Sequence, residues 1–379
     1  MRALALCVVA SLPAAAANLV VHRGESIQAA VDRARPGDTV TVRPGTYREQ
    51  GRPCPYSTLE KPEICAVSVT KDRISLVAPG GATLLNPGGQ NDGIAFSPAS
   101  PDPTACLGSD KSKRLQGATV RGFTVRGFSD DGIFFLCVEG IAVEGNTAVN
   151  NEQYGIFPSH VVGGHVAGNH ASGAKDTGIY VGQSRDVLVE ANVAQANVSG
   201  FEVENSSGVT VRRNLATGNT GGILTFALPG LDVHVNEDNV IEDNVSAANN
   251  MRNVCTSGDV CLVPAGTGII AVSVQRNLIR RNVVVGNDSL GIALTDFCTA
   301  AQLDAKSCAR LDIEPSPLPD GNRITGNVVF GNGRHPDTAR LPPELAGDLV
   351  WTGTGEGNCW SRNLAGTVAP PGIVLPSCP

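Results

Sequence analysis

The chain has 379 residues, a formal net charge of −7 and 17% charged residues, which excludes a broad basic surface and the usual modes of nucleic-acid binding. Forty-four glycines set against 4% aromatic residues and two methionines suit short strands and a narrow aliphatic core, with no need for a long helix.

Arg2, the apolar run Ala3 to Leu12 and the small residues Ala14 to Ala17 form a secretory signal cleaved near Ala17. The run is too short to anchor in a bilayer. A secreted or periplasmic protein with no transmembrane segment is therefore expected, with residues 18–379 as one domain. Loss of residues 1–17 removes Cys7 and leaves ten cysteines in an oxidising compartment. Their order suggests Cys54 with Cys65, Cys106 with Cys137, Cys255 with Cys261, Cys298 with Cys308, and Cys359 with Cys378. Metal ligation would call for CxxC pairs or nearby histidines, and neither is present.

In SIQAAVDRARPGDTVTVRPGTYRE, Ser26 suits a helix N-cap, Ile27, Ala30, Val31 and Ala34 share one face, and Pro36-Gly37 stops the helix. A helix over 26–36 would cap the open end of whatever follows. Residues 50–115 read as early irregular turns with two inserted loops. From Ala118 a repeat takes over. Gly132, Gly155, Gly178, Gly200, Gly222, Gly268 and Gly291 each precede a bulky apolar residue, at spacings of 23, 23, 22, 22, 46 and 23. Asn146, Asn169, Asn192, Asn214, Asn244, Asn282 and Asn327 run beside them. Such a period without helical pattern marks an all-β solenoid with one coil per repeat. Regular coils are expected over 118–330, with Val209, Val211 and Leu215 inward in one of them. The 46-residue gap between Gly222 and Gly268 would be one coil swollen to twice its length by Pro229 to Pro264, with Cys255/Cys261 as a clip, 297–321 another excursion, and 340–379 an irregular last turn.

Strand alternation sends the second and fourth residues after each repeat glycine outward. The second-position column is Phe134, Phe157, Tyr180, Glu202, Leu224, Ile270, Ala293, and the fourth is Leu136, Ser159, Gly182, Glu204, Phe226, Val272, Thr295. The corner after it holds His160, Gln183 and Asn205. Polar groups between aromatic faces suit a sugar chain. This assigns Glu202, Glu204, His160 and Tyr180 as candidate catalytic residues, and Phe157, Gln183, Asn205, Phe226 and Asp176 as substrate contacts. Glu202 and Glu204 would divide acid and base roles in a hydrolase. His160 or Tyr180 would serve as base in a lyase or epimerase. Calcium is the one cofactor left open, with Asp176, Asp296, Asp304, Asp312 and Glu314 as loose candidates and no EF-hand spacing. There is no GxSxG, HExxH or P-loop.

The repeats over 118–330 resemble right-handed parallel β-helix proteins of the pectin-lyase-like superfamily, and the opening SIQAAVDRARPGDTVTVRPGTY is similar to their capping segment. GIYVGQS, FEVENS, NTGGIL and VPAGTGI are similar to the bacterial parallel β-helix repeat family. The resemblance implies the fold, an all-β right-handed parallel β-helix with a capping helix and disulfide-clipped loops, and no particular activity. The YGxDPHD motif of alginate epimerases of this architecture meets Tyr154, Gly155 and Pro158 here, but Phe157 and Ser159 replace its acid and first histidine. Its mechanism is not carried over. The expectation is an exported protein that binds and processes a polysaccharide or oligosaccharide as a lyase, epimerase or hydrolase. The alternatives are a non-catalytic carbohydrate-binding module and a structural docking solenoid.

Overall fold

A computed structural model describes residues 15–301 and 303–379. Most of the signal segment, with Cys7, lies outside the described residues. Among those described, no helix is long and apolar enough to cross a membrane.

The chain winds as a coil whose successive turns pair in parallel and build three long sheets. Sheet one runs from Ile64–Val69 to Val368–Ala369, sheet two from Asn18–Val21 to Cys359–Ser361, and sheet three from Gly45–Tyr47 to Leu364–Ala365. Stacking puts like residues above one another in the interior. Ile133, Ile156, Ile179, Phe201, Ile223, Ile269 and Ile292 form the inner column of sheet one. Val143, Val166, Val189 and Val211 do so in sheet two, and Ala148, Ala171, Ala194 and Ala216 in sheet three. All of these are buried, and the small alanine column opposite the larger isoleucines keeps the core narrow.

The repeat glycines are required by close approach. A Cβ on Gly155 would lie 2.4 Å from the Gly178 carbonyl oxygen of the next coil. The asparagines hold the corners. Asn192 accepts from the Asn169 backbone N–H (2.8 Å) and Nδ2 (3.0 Å), while its own Nδ2 donates to Asn214 Oδ1 (3.0 Å) and the Val166 carbonyl (2.9 Å). A second ladder through Asn197, Asn219, Asn249 and Asn287 repeats the arrangement, and a third through Asn239, Asn277 and Asn322 keeps its backbone N–H to Oδ1 bonds.

The helix Ile27–Arg33 closes the N-terminal end. Ser26 caps it by accepting from the Ala29 N–H (3.0 Å), and the Lys71 ammonium donates to the Val31, Asp32 and Ala34 carbonyls at the other end. Trp351 and Trp360 pack with centroids 5.2 Å apart near the last coil. The five disulfides join the expected pairs, with Cα separations of 4.7–5.6 Å.

Two readings are corrected. Leu215 points outward and is 37% exposed, because the chain turns at Asn214 and the inward place in sheet three goes to Ala216. Pro229 to Pro264 does swell a single coil, but the extra residues are not continuous. It carries the regular strands Val240–Glu242 and Val245–Ala247 of sheets two and three, so the extra residues form two insertions at different corners. One leaves the end of a sheet-one strand, the other precedes the next sheet-one strand. Residues 297–321 and 331–346 repeat this pattern two coils later, so loops rise along both borders of sheet one.

Candidate functional site

The outer face of sheet one has the register expected from the repeat. Phe157 stacks on Phe134, Tyr180 on Glu202, Glu202 on Leu224 and Leu224 on Ile270. The face is not an open groove. The flanking loops leave Tyr180 and Glu202 4% exposed and Glu204 8%, while Phe157, Tyr154 and Asp176 keep part of their surface open.

Going up the coil the face changes character three times. At the bottom, Glu63, Asp92, Asp130 and Asp131 gather beside the Cys54–Cys65 disulfide, with the Tyr56 hydroxyl donating to Asp92 (2.8 Å). Burial raises Asp92 to about 7 and Asp130 to about 6. An aromatic run follows: Tyr56, Phe134, Phe157, Tyr154 and Tyr180 meet at centroid distances of 4.5–5.0 Å. Above it sit Asp176, Glu202 and Glu204, and beyond them the face becomes aliphatic.

The middle segment is the chemically distinctive one. Asp176 accepts from the Thr177 hydroxyl (2.9 Å), faces the Tyr154 phenol, and is raised by burial to about 6. Glu202 is pushed well above the ordinary carboxylate range, first by burial and then by the Asp176 charge. The Ser199 hydroxyl faces it, yet neither Ser199 Oγ nor Glu202 Oε1 completes a hydrogen bond. Glu204 accepts from Gln183 Nε2 (2.8 Å), faces the Tyr180 phenol, and is raised by burial to about 7. Burial likewise raises both tyrosines. The charges bearing most strongly on Glu202 and Glu204 are other carboxylates, and no lysine or arginine is among the groups that act most strongly on any of the three acids. Such surroundings favour the protonated form of each acid, least so for Asp176.

Several expected site residues are placed differently. Glu204 is engaged by Gln183, and the charge acting most strongly on Glu202 is that of Asp176, with Glu204 acting less. Asn205 is fully buried; its Oδ1 accepts from the Leu228 N–H (2.7 Å) and its Nδ2 donates to the Leu228 and Val233 carbonyls. It anchors a loop and has no amide left for a substrate. Phe226 lines an apolar cavity farther up the face. His160, at the same corner as Gln183, meets Ser159 Oγ through Nδ1 (2.9 Å) and Asp232 through Nε2 (2.9 Å). Both nitrogens are occupied, and the histidine ties the 229–236 insertion to the coil.

The calcium candidates do not converge. Asp296 and Asp304 cap short helices and Asp312 accepts from the Gly230 N–H, with Glu314 in the same loop as Asp312. Among the described residues Asp176 forms no metal-like cluster with them.

The sequence reading missed Tyr154, Ser199 and Asp232. Asp92, Asp131, Tyr154, Thr177 and Ser199 form one column two residues ahead of the inner one. Extending the repeat frame by two positions would have found it. Asp232 comes from an insertion, where the period carries no information.

Residues 104–228 match the family described as right handed beta helix region. This is a right-handed parallel β-helix. The β-helix resembles the A-modules of two Azotobacter vinelandii mannuronan C-5 epimerases. AlgE6 gives TM-score 0.56 at 15% identity, covering 93% of this chain and 94% of that one, and AlgE4 gives 0.53 at 15% identity, covering 88% and 90%. A double mutant of the periplasmic alginate epimerase AlgG gives 0.50 at 16% identity, covering 92% and 73%. At these identities the likeness is one of fold. No curated protein matches the chain in sequence.

Proposed function

We propose that this exported β-helix protein binds a carbohydrate polymer across sheet one and hydrolyses it by acid–base catalysis, with Glu202 as the acid and Asp176 as the base. The observation that carries this reading is the pairing of two carboxylates on adjacent coils in unequal surroundings. Glu202 is enclosed, pushed by burial toward its protonated form and missing a partner for Oε1. Asp176 is partly open and raised only to about 6. Environments that push two acids apart are what acid and base roles require. In that division Glu202 protonates the departing glycosidic oxygen, while ionised Asp176 takes a proton from the attacking water. Tyr154 faces Asp176 and orients it. The partly open rings of Tyr154 and Phe157, 4.5 Å apart, supply the surface on which a sugar face stacks.

The absence of lysine and arginine from the groups acting on this cluster favours a neutral polymer over a uronate, whose carboxylate would meet three acids. Export rests on the sequence of residues 1–17 and on five disulfides. The test is a panel of neutral and uronate polysaccharides, following new reducing ends and unsaturated-product absorbance together. Reducing ends without absorbance support hydrolysis. Absorbance means a lyase, and binding without either product means a carbohydrate-binding module.

A further inference from the structure

Above Glu202 the outer column of sheet one reads Leu224, Ile270, Ala293 and Val350 on four consecutive coils. At ~4.8 Å per rung this floor is ~14 Å long. Residues 259–264 and 340–345 wall it on one side and 297–300 on the other, enclosing about 190 Å³. The Cys255–Cys261 and Cys298–Cys308 bridges clip two of these walls in place. The space is therefore built in advance, and its apolar lining offers water few hydrogen-bond partners. Apolar cavities of ~150 Å³ take up benzene-sized molecules. The lower end is different: the carboxyl of Glu202 borders the cavity with its Oε1 buried and unpartnered.

We infer that this cavity is a binding site for an uncharged apolar group, an aliphatic chain or aromatic ring, whose single hydrogen-bonding end meets Glu202. The walls are too aliphatic for a sugar ring, and a charged ligand would have no counter-ion at the floor: of the charged wall residues, Asp259 and Arg340 are exposed, and Arg340 is already paired with Asp337. Such a group arrives either as a free small molecule or as an alkyl or aryl substituent on a saccharide. The inference shares Glu202 with the proposed hydrolytic site but stands on the cavity, and its test uses no polysaccharide.

The test is a fluorescence titration of the full chain with N-phenyl-1-naphthylamine. A saturable rise with one site per chain is expected. Ala293→Trp fills the floor and should weaken binding at least tenfold. Leu262→Glu, at a rim position already 49% exposed, leaves the core untouched and should weaken it several-fold even if the first variant fails to fold. Displacement by 1-octanol alone assigns a free ligand, and stronger displacement by octyl glucoside below its micellar concentration assigns a sugar-borne chain. Glu202→Leu should weaken octanol displacement about fivefold while leaving the probe within twofold; equal displacement would overturn the assignment of the polar end. A titration that does not saturate, or one that neither Ala293→Trp nor Leu262→Glu changes, overturns the site. Polysaccharide cleavage is read separately, so either claim can fail without the other.

Discussion

Asp176 and Glu202 lie on adjacent coils, and the Asp176 charge adds to burial in raising the proton affinity of Glu202. Replacing Asp176 by Asn removes the like charge. Glu202 should then lose its proton at lower pH than in the wild type, as read by carbon-13 NMR titration of its carboxyl, which needs no turnover. An unchanged midpoint would mean that burial alone holds the proton on Glu202.

Glu204 should make stability pH-dependent in a definite direction. Its carboxyl is raised from 4.5 to about 7, so between those values the folded chain holds a proton that the unfolded chain has lost. Stability therefore falls as pH rises through that window and is level outside it. Glu204→Gln keeps an acceptor but cannot ionise. It should stabilise the protein by up to about 3 kcal/mol at pH 8 and change little at pH 4, as read by denaturant titration. Equal effects at both values would contradict this.

Asn192→Ala should be far more damaging than its polarity suggests. The Asn169 N–H and the Val166 carbonyl lose buried partners together, which costs about 3 kcal/mol or more. Denaturant unfolding measures it, and the same change at exposed Asn250 should cost under about 1 kcal/mol.

His160→Ala should release the insertion at 229–236 without loosening the coil. Hydrogen exchange is expected to rise at residues 229–236 and to stay flat at the core strand Ser199–Glu204. Faster exchange in both would make His160 a core residue instead of a tether.

The fold was legible because a solenoid repeats its reasons. Gly155 is glycine for the same steric cause as Gly200, whose Cβ would lie 2.6 Å from the Gly222 carbonyl oxygen. Asn192 and Asn214 fill the same corner one coil apart. That periodicity also fixed which residues of sheet one face outward. It could not say what covers them, since Asp232 and the wall around Leu262 come from insertions outside the period. This is why Asn205 was read as a substrate contact when its amide is committed to Leu228 and Val233. It is also why Glu202 was paired with its strand neighbour Glu204. The distance along a strand is visible in sequence, whereas the approach of Asp176 depends on how a corner folds back.

The central claim is that Glu202 delivers the proton that breaks a glycosidic bond. The most direct measurement compares the wild-type protein with Glu202→Gln on a neutral polysaccharide that both bind, following reducing ends under single-turnover conditions. The account predicts similar affinity and a loss of about 10²–10⁴-fold in rate, with no unsaturated product from either. An unimpaired rate in Glu202→Gln, or unsaturated product from the wild type, would contradict it.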